Sequence, residues 1–195
     1  MFDHDGSAPL VRRGPSGLAG FNEAGAALTL EDRLGIGKVQ FLRGTTAAYF
    51  SDMFGRPAPA DRQSLALDTV EVSWLAPDEW LLTGDEAEVL AMIGRAAMFG
   101  DSCLAINLSH ARRAFRLSGA GARNRLAAVT PLDVTDAAMK EGHVARAPLS
   151  DTGMFIARLP DREAQPVFRM VVDQTMAAYA IRMLRGPALS PGVDS

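Results

Sequence analysis

Val70-Glu71-Val72-Ser73-Trp74-Leu75-Ala76-Pro77-Asp78-Glu79-Trp80-Leu81-Leu82-Thr83 reads as two strands folded back on each other. Val70, Val72 and Trp74 alternate with Glu71 and Ser73, the period-2 pattern of a strand with one buried face. Ala76-Pro77-Asp78 makes the turn: proline presets its φ, and the aspartate side chain bonds to backbone two residues on. Working outward, residues 39–43 (VQFLR) read as a strand. Thr45 or Thr46 caps a helix through Tyr49, Phe50 and Met53 to a stop at Gly55. Residues 56–68 read as a Pro-containing polar connection. After the hairpin, Gly84-Asp85 opens a helix carrying Val89, Leu90, Ile93 and Met98, ending near Gly100, and residues 103–108 are again strand-like. This half therefore reads βαββαβ.

The second half opens with the alternating strand Arg113-Ala114-Phe115-Arg116-Leu117. A helix over residues 120–129 follows, with Leu126 inward, and residues 144–149 suggest another strand. Residues 154–159 and 167–172 form a hairpin across Pro160-Asp161, and a helix over 174–184 closes the pattern as βαβββα. Two halves with similar element order predict a pseudo-duplicated, ferredoxin-like α+β protein, two mainly antiparallel sheets packed into one body. The expected division is an extended Gly/Ala/Ser-rich arm over residues 1–30, a single domain over 31–185 and a fraying tail over 186–195.

With 195 residues and 48% hydrophobic content the chain can bury a sizeable core. A formal charge of -3 leaves no cationic excess for a phosphate backbone, which argues against nucleic acid. No apolar run approaches the ~18 residues of a membrane span, and the Asp3-His4-Asp5 start does not resemble a signal peptide. The single cysteine, Cys103, is expected to be a buried hydrophobe in a reducing, cytoplasmic setting.

Chemistry-bearing residues do not assemble into a catalytic set. Ser109-His110 invites a nucleophile–base reading, but neighbours at a strand end point to opposite faces, and a turn in which Ser109 satisfies backbone groups fits better. His4, His110 and His143 lack partners at metal-ligand spacing. Asp78 and Glu79 suit a turn former and a solvated charge better than a pair of acids. Ser118-Gly119-Ala120-Gly121 lacks the Lys-Ser/Thr of a phosphate loop and reads as a helix start. Trp74 and Trp80 are candidates for core or for an interface. Arg112, Arg113, Arg116, Arg123 and Arg125 concentrate positive charge. Alternation puts Arg112 and Arg116 on one strand face and Arg113 on the other, and such guanidiniums suit a carboxylate ligand, an acidic partner or simply water.

The segment 74–82 (WLAPDEWLL) resembles the LGPDEWLL hairpin of sarcosine oxidase gamma subunits. Asn107-Leu108-Ser109-His110-Ala111-Arg112-Arg113-Ala114-Phe115-Arg116-Leu117-Ser118-Gly119, then Ala122-Arg123 and Pro131-Leu132-Asp133-Val134, is similar to the same family's stretch from DLSHRR through LSGP to PLDL. The likeness spans residues 30–185; Thr130 stands where a cysteine is common, and Ala147-Pro148-Leu149 replaces a polar Gln-Thr stretch. The resemblance implies a folate-binding fold like that of the glycine cleavage T-protein. It also implies a non-catalytic subunit of a heterotetrameric oxidase that demethylates sarcosine. FAD, FMN, NAD and tetrahydrofolate then belong to partner subunits, and this chain supports the alpha, beta and delta subunits. Two rival expectations are a stand-alone folate-dependent aminomethyl carrier and a self-associating scaffold.

Overall fold

A computed structural model of the chain describes residues 18–42, 44 and 46–186. In chain order the elements are β1 (Phe21–Glu23), β2 (Ala26–Leu30), β3 (Gly35–Phe41), α1 (Thr46–Phe54), β4 (Ser64–Leu67), β5 (Val70–Ala76) and β6 (Glu79–Gly84). Then come α2 (Glu86–Arg95), a 3-10 segment (Ala96–Ser102), β7 (Cys103–Asn107), β8 (Arg112–Ser118) and α3 (Ala122–Ala127). β9 (Val144–Leu149), β10 (Thr152–Arg162), β11 (Gln165–Asp173), a 3-10 turn (Gln174–Met176) and α4 (Ala177–Arg185) complete the chain.

The hairpin over residues 70–83 forms as expected, with Val72 opposite Leu82 and Trp74 opposite Trp80. Asp78 sits at its tip with φ 63°, a left-handed conformation that aspartate tolerates. Its carboxylate also accepts the Thr46 hydroxyl at the start of α1.

All strand pairings are antiparallel, in two sheets of order β7-β3-β6-β5-β4 and β2-β8-β11-β10-β9, the second extended by β1 beyond β2. The first sheet is built as β3-α1-β4-β5-β6-α2-β7 and the second as β8-α3-β9-β10-β11-α4, so the duplication is real at the level of topology. The strand that should follow α4 in the second half is supplied instead by β2, from the other end of the chain.

Alternation in the strands sorts the core into layers. Val39, Phe41, Val72, Trp80 and Leu82 pack with Phe50, Met53, Val89 and Met92 of α1 and α2. Phe115, Leu117, Ile156, Phe168 and Met170 pack with Leu126, Ala180, Ile181 and Leu184 of α3 and α4. Ile36 and Leu81 of one sheet meet Ala114, Phe155, Ala157 and Val171 of the other between the sheets. The result is a helix–sheet–sheet–helix sandwich.

Three expectations are corrected. The arm expected over residues 1–30 ends in the β1–β2 hairpin; its first 17 residues, like the tail beyond Gly186, lie outside the described residues. Phe21, Ala26 and Leu28 are buried because β2 pairs with β8. Residues 56–68 are not all connection, since β4 pairs with β5 from Ser64 to Leu67. The closing hairpin turns at Glu163-Ala164, both at positive φ (53° and 58°), rather than at Pro160-Asp161. Pro160 is carried within β10 at a register shift between Leu159 and Arg162, where a missing N–H breaks no ladder bond. The glycines Gly119 and Gly121 serve the β1–β2 hairpin instead: a Cβ at Gly119 would stand 2.3 Å from the Gly25 carbonyl oxygen, so the β1–β2 turn seats directly on them.

Candidate functional site

A groove of about 860 Å³ opens at one end of the seam between the sheets. Its apolar floor is Leu75, Leu81, Leu108 and Phe155, and its polar walls include Lys38, Glu79, Arg112, Arg146 and Asp173. The charges there are largely matched: Lys38 Nζ lies 3.0 Å from Glu79, and Arg112 donates to Asp173 at 2.6 Å. The Asp173 carboxyl is held below its usual range by hydrogen bonds from the Thr175 side chain and backbone, with Arg112 adding its charge. A groove of this kind offers an apolar surface with paired charges at its rim, an arrangement for holding a ligand or a chain segment. Among the described residues no three His, Cys, Asp or Glu side chains come together as a metal-ligand set.

The five arginines singled out from sequence are brought to three different places. Arg112 and Arg116 face the seam between sheets, whereas Arg113 is buried on the helix-facing side of β8. Arg123 leaves α3 to bind the Val134 carbonyl and Asp136, and its guanidinium lies 5.3 Å from the centre of the Phe168 ring. Arg125 bonds the Leu184 and Arg185 carbonyls, satisfying the C-terminal end of α4. Arg112, Arg116, Arg123 and Arg125 are committed to intrachain bonds, Arg113 is buried with its Nε unbonded, and the five do not converge on one place. Trp80 is core, 2% exposed and packed at tilted angles against Phe41 and Phe50, so its interface reading is set aside. Trp74 is half-buried against the cluster between the sheets. Cys103 is only half-buried, because β7 is an edge strand, and burial pushes its thiol up.

Ser109 has the turn role expected of it. Its hydroxyl accepts the Ile36 N–H at 2.9 Å and donates to the Ile36 carbonyl at 3.3 Å, tying the β7–β8 connection to β3. His110 beside it is exposed. Ser109→Ala leaves a buried N–H without its acceptor and is expected to cost about 1–3 kcal/mol of unfolding free energy, measurable by urea titration.

Sequence reading missed a heavily bonded polar group at the other end of the seam. Arg169 of β11 donates to Glu31 at 2.7 Å, to Glu71 of β5 at 3.0 Å and to the Thr83 hydroxyl of β6 at 3.2 Å. Arg116 also reaches Glu31, at 2.5 Å. The network crosses between sheets and joins residues far apart in the chain, so no local motif announces it; the one signal is a lone arginine inside the apolar strand 167–172. Burial by itself pushes the Glu31 carboxyl up, but the hydrogen bonds and charges of Arg169 and Arg116 outweigh it and hold the group below its ordinary 4.5. A depressed carboxylate stabilises the fold fully above the unfolded-state value, and the contribution is lost as pH falls through the lower folded one. Acid unfolding is therefore expected to steepen below about pH 4.5, with Glu31→Gln flattening that limb.

The fold and its seam can be set beside known proteins. A heterotetrameric sarcosine oxidase from Corynebacterium sp. U-96, solved with pyrrole 2-carboxylate, contains a chain that superposes with a TM-score of 0.70 at 20% identity, covering 82% of this chain and 81% of that one. Aminomethyltransferase T of the glycine cleavage system from Bartonella henselae superposes with a TM-score of 0.65 at 19% identity, over 85% of this chain but 46% of that one. Both likenesses establish the folate-binding type of fold. No curated protein sequence matches significantly. The family model described as "Sarcosine oxidase, gamma subunit family" matches residues 44–186, from the start of α1 through the end of α4. The chain belongs to the sarcosine oxidase gamma subunit family.

Proposed function

We propose that this chain is the gamma subunit of a heterotetrameric, sarcosine oxidase-like complex and acts there as a non-catalytic support for the flavin-bearing subunits. The family match over residues 44–186 carries the reading, since it covers both sheets from β4 to β11 and the four helices rather than one motif. The commitment of Arg112, Arg116, Arg123, Arg125 and Ser109 to intrachain bonds is in keeping with it. In this reading the oxidative demethylation of sarcosine, with FAD, FMN, NAD and tetrahydrofolate, takes place on the alpha, beta and delta partners in the cytoplasm. Co-expression with those three subunits, followed by size-exclusion chromatography with light scattering, is expected to give one hetero-oligomer containing this chain in equal proportion. A chain that always elutes apart from an assembled oxidase contradicts the proposal.

A second reading, a stand-alone folate-dependent aminomethyl carrier, is favoured by the likeness to aminomethyltransferase T and by the groove. Arg146, exposed at its rim, is the group best placed to meet a carboxylate tail, because Arg112 is already paired with Asp173. Calorimetric titration of the isolated chain with tetrahydrofolate separates the readings: saturable micromolar binding supports the carrier, and no heat at high micromolar ligand excludes it.

A further inference from the structure

The internal duplication compares the two sheets edge for edge. β8 of one sheet corresponds to β3 of the other, and β2, which flanks β8, corresponds to β7, which flanks β3. Beyond β2 lies β1, pairing Phe21 with Leu28 and Glu23 with Ala26, whereas among the described residues nothing pairs beyond β7. One half thus carries a strand at a position the other leaves open.

β7 is built unlike a strand meant to end a sheet. Edge strands are ordinarily guarded by charge, proline or brevity. β1 has only three residues and ends in Glu23; β9 carries Arg146 and Pro148; β4 is tied to the other sheet through Ser64 N–H to the Gly142 carbonyl at 2.9 Å. β7, Cys103-Leu104-Ala105-Ile106-Asn107, has neither charge nor proline. The bonds from Leu108 N–H to Ile36 and from Leu42 N–H to Ser102 fix its ladder with β3, so residues 104 and 106 turn their backbone toward β3 while Ala105 and Asn107 turn theirs outward. On the face away from α2, Leu104 and Ile106 are 53% and 39% exposed, and Leu42 beside them is 60% exposed. This apolar strip continues into the groove through Leu108.

We infer that the outer edge of β7 receives an extended segment of a partner subunit, which adds an antiparallel strand to the five-stranded sheet as β1 does to the six-stranded one. The inference rests on the gamma-subunit reading, which supplies the partner. The matching chemistry is an uncharged segment with apolar side chains at alternate positions, laid over Leu42, Leu104 and Ile106 and hydrogen-bonded to Ala105 and Asn107. The strip alone is far smaller than the ~800 Å² per partner of a stable interface, which suits one element of a larger heteromeric contact better than a dimer of this chain.

The test uses the full chain with the co-expressed alpha, beta and delta subunits. On assembly, the Ala105 and Asn107 amides should become protected from hydrogen exchange. Ala105→Pro removes an outward N–H without touching the β3 ladder, and Ile106→Lys places a charge on the strip. Both are expected to weaken assembly at least about tenfold while the isolated variants melt like wild type. Should Ala105→Pro fail to fold, amide exchange in the wild-type assembly decides. Assembly with both amides still exchanging, or undiminished in a folded Ile106→Lys, overturns the docking edge and leaves the subunit reading standing. Wild-type chain that never assembles removes that reading, and this inference with it. A dimer of the isolated chain broken by Ile106→Lys assigns the edge to a second copy and overturns the partner.

Discussion

Deleting the chain up to and including Leu30 is expected to abolish cooperative folding. The deletion removes β1 and β2, and with them Phe21, Ala26 and Leu28 from the core beneath α3 and α4. Leu28 alone, 1% exposed, is a side chain whose truncation to alanine costs about 2–5 kcal/mol. Losing the whole hairpin also strips β8 of one ladder, against a total stability of about 5–15 kcal/mol for a domain of this kind. Near-ultraviolet circular dichroism and urea titration check this. A deletion variant with a sharp transition at the wild-type midpoint would show that residues 21–30 are the dispensable arm their composition suggests.

Arg169→Ala is expected to be the most damaging single polar substitution. Arg169 is 8% exposed and serves three acceptors on two other strands and the β2–β3 connection. Its removal leaves Glu71 without its cation and Glu31 with Arg116 alone in a half-dry seam. Breaking a buried pair from one side costs about 3–5 kcal/mol, whereas replacing all partners by apolar groups of similar volume is often neutral. Arg169→Met combined with Arg116→Met, Glu31→Leu and Glu71→Leu, which replaces every charged member of the network, should therefore recover most of the loss in urea midpoint. Equal stability of Arg169→Ala and wild type would show that water, not the seam, solvates these acids.

Legibility in the sequence follows the range of the interactions. The hairpin over 70–83, the helices near 46–54 and 86–95, and β8 through β11 carry their signals in local alternation, caps and Pro-Asp turn chemistry. β2 carries such a signal as well, in Ala26, Leu28 and Leu30, but its neighbouring glycines and the Ala24-Gly25 turn, at φ 50° and 70°, mask it as irregular chain. Ala24 and the Glu163-Ala164 pair occupy left-handed turn positions usually marked by Asn or Gly, so neither hairpin announces its bend. β4, four residues without β-branching, is legible only once its counterpart β9 is known. At the site level, neighbours in sequence mislead: the arginine cluster disperses over two faces and a helix. The Glu31–Arg169–Glu71 network, by contrast, joins positions up to 138 residues apart and is set by sheet packing alone.

Expression of the alpha, beta and delta subunits with and without this chain, followed by sarcosine turnover read as hydrogen peroxide release, tests the gamma-subunit proposal most directly. The account predicts a stable, active oxidase only when this chain is present, with the chain itself inactive alone. An oxidase of full activity and unchanged mass in its absence would contradict it.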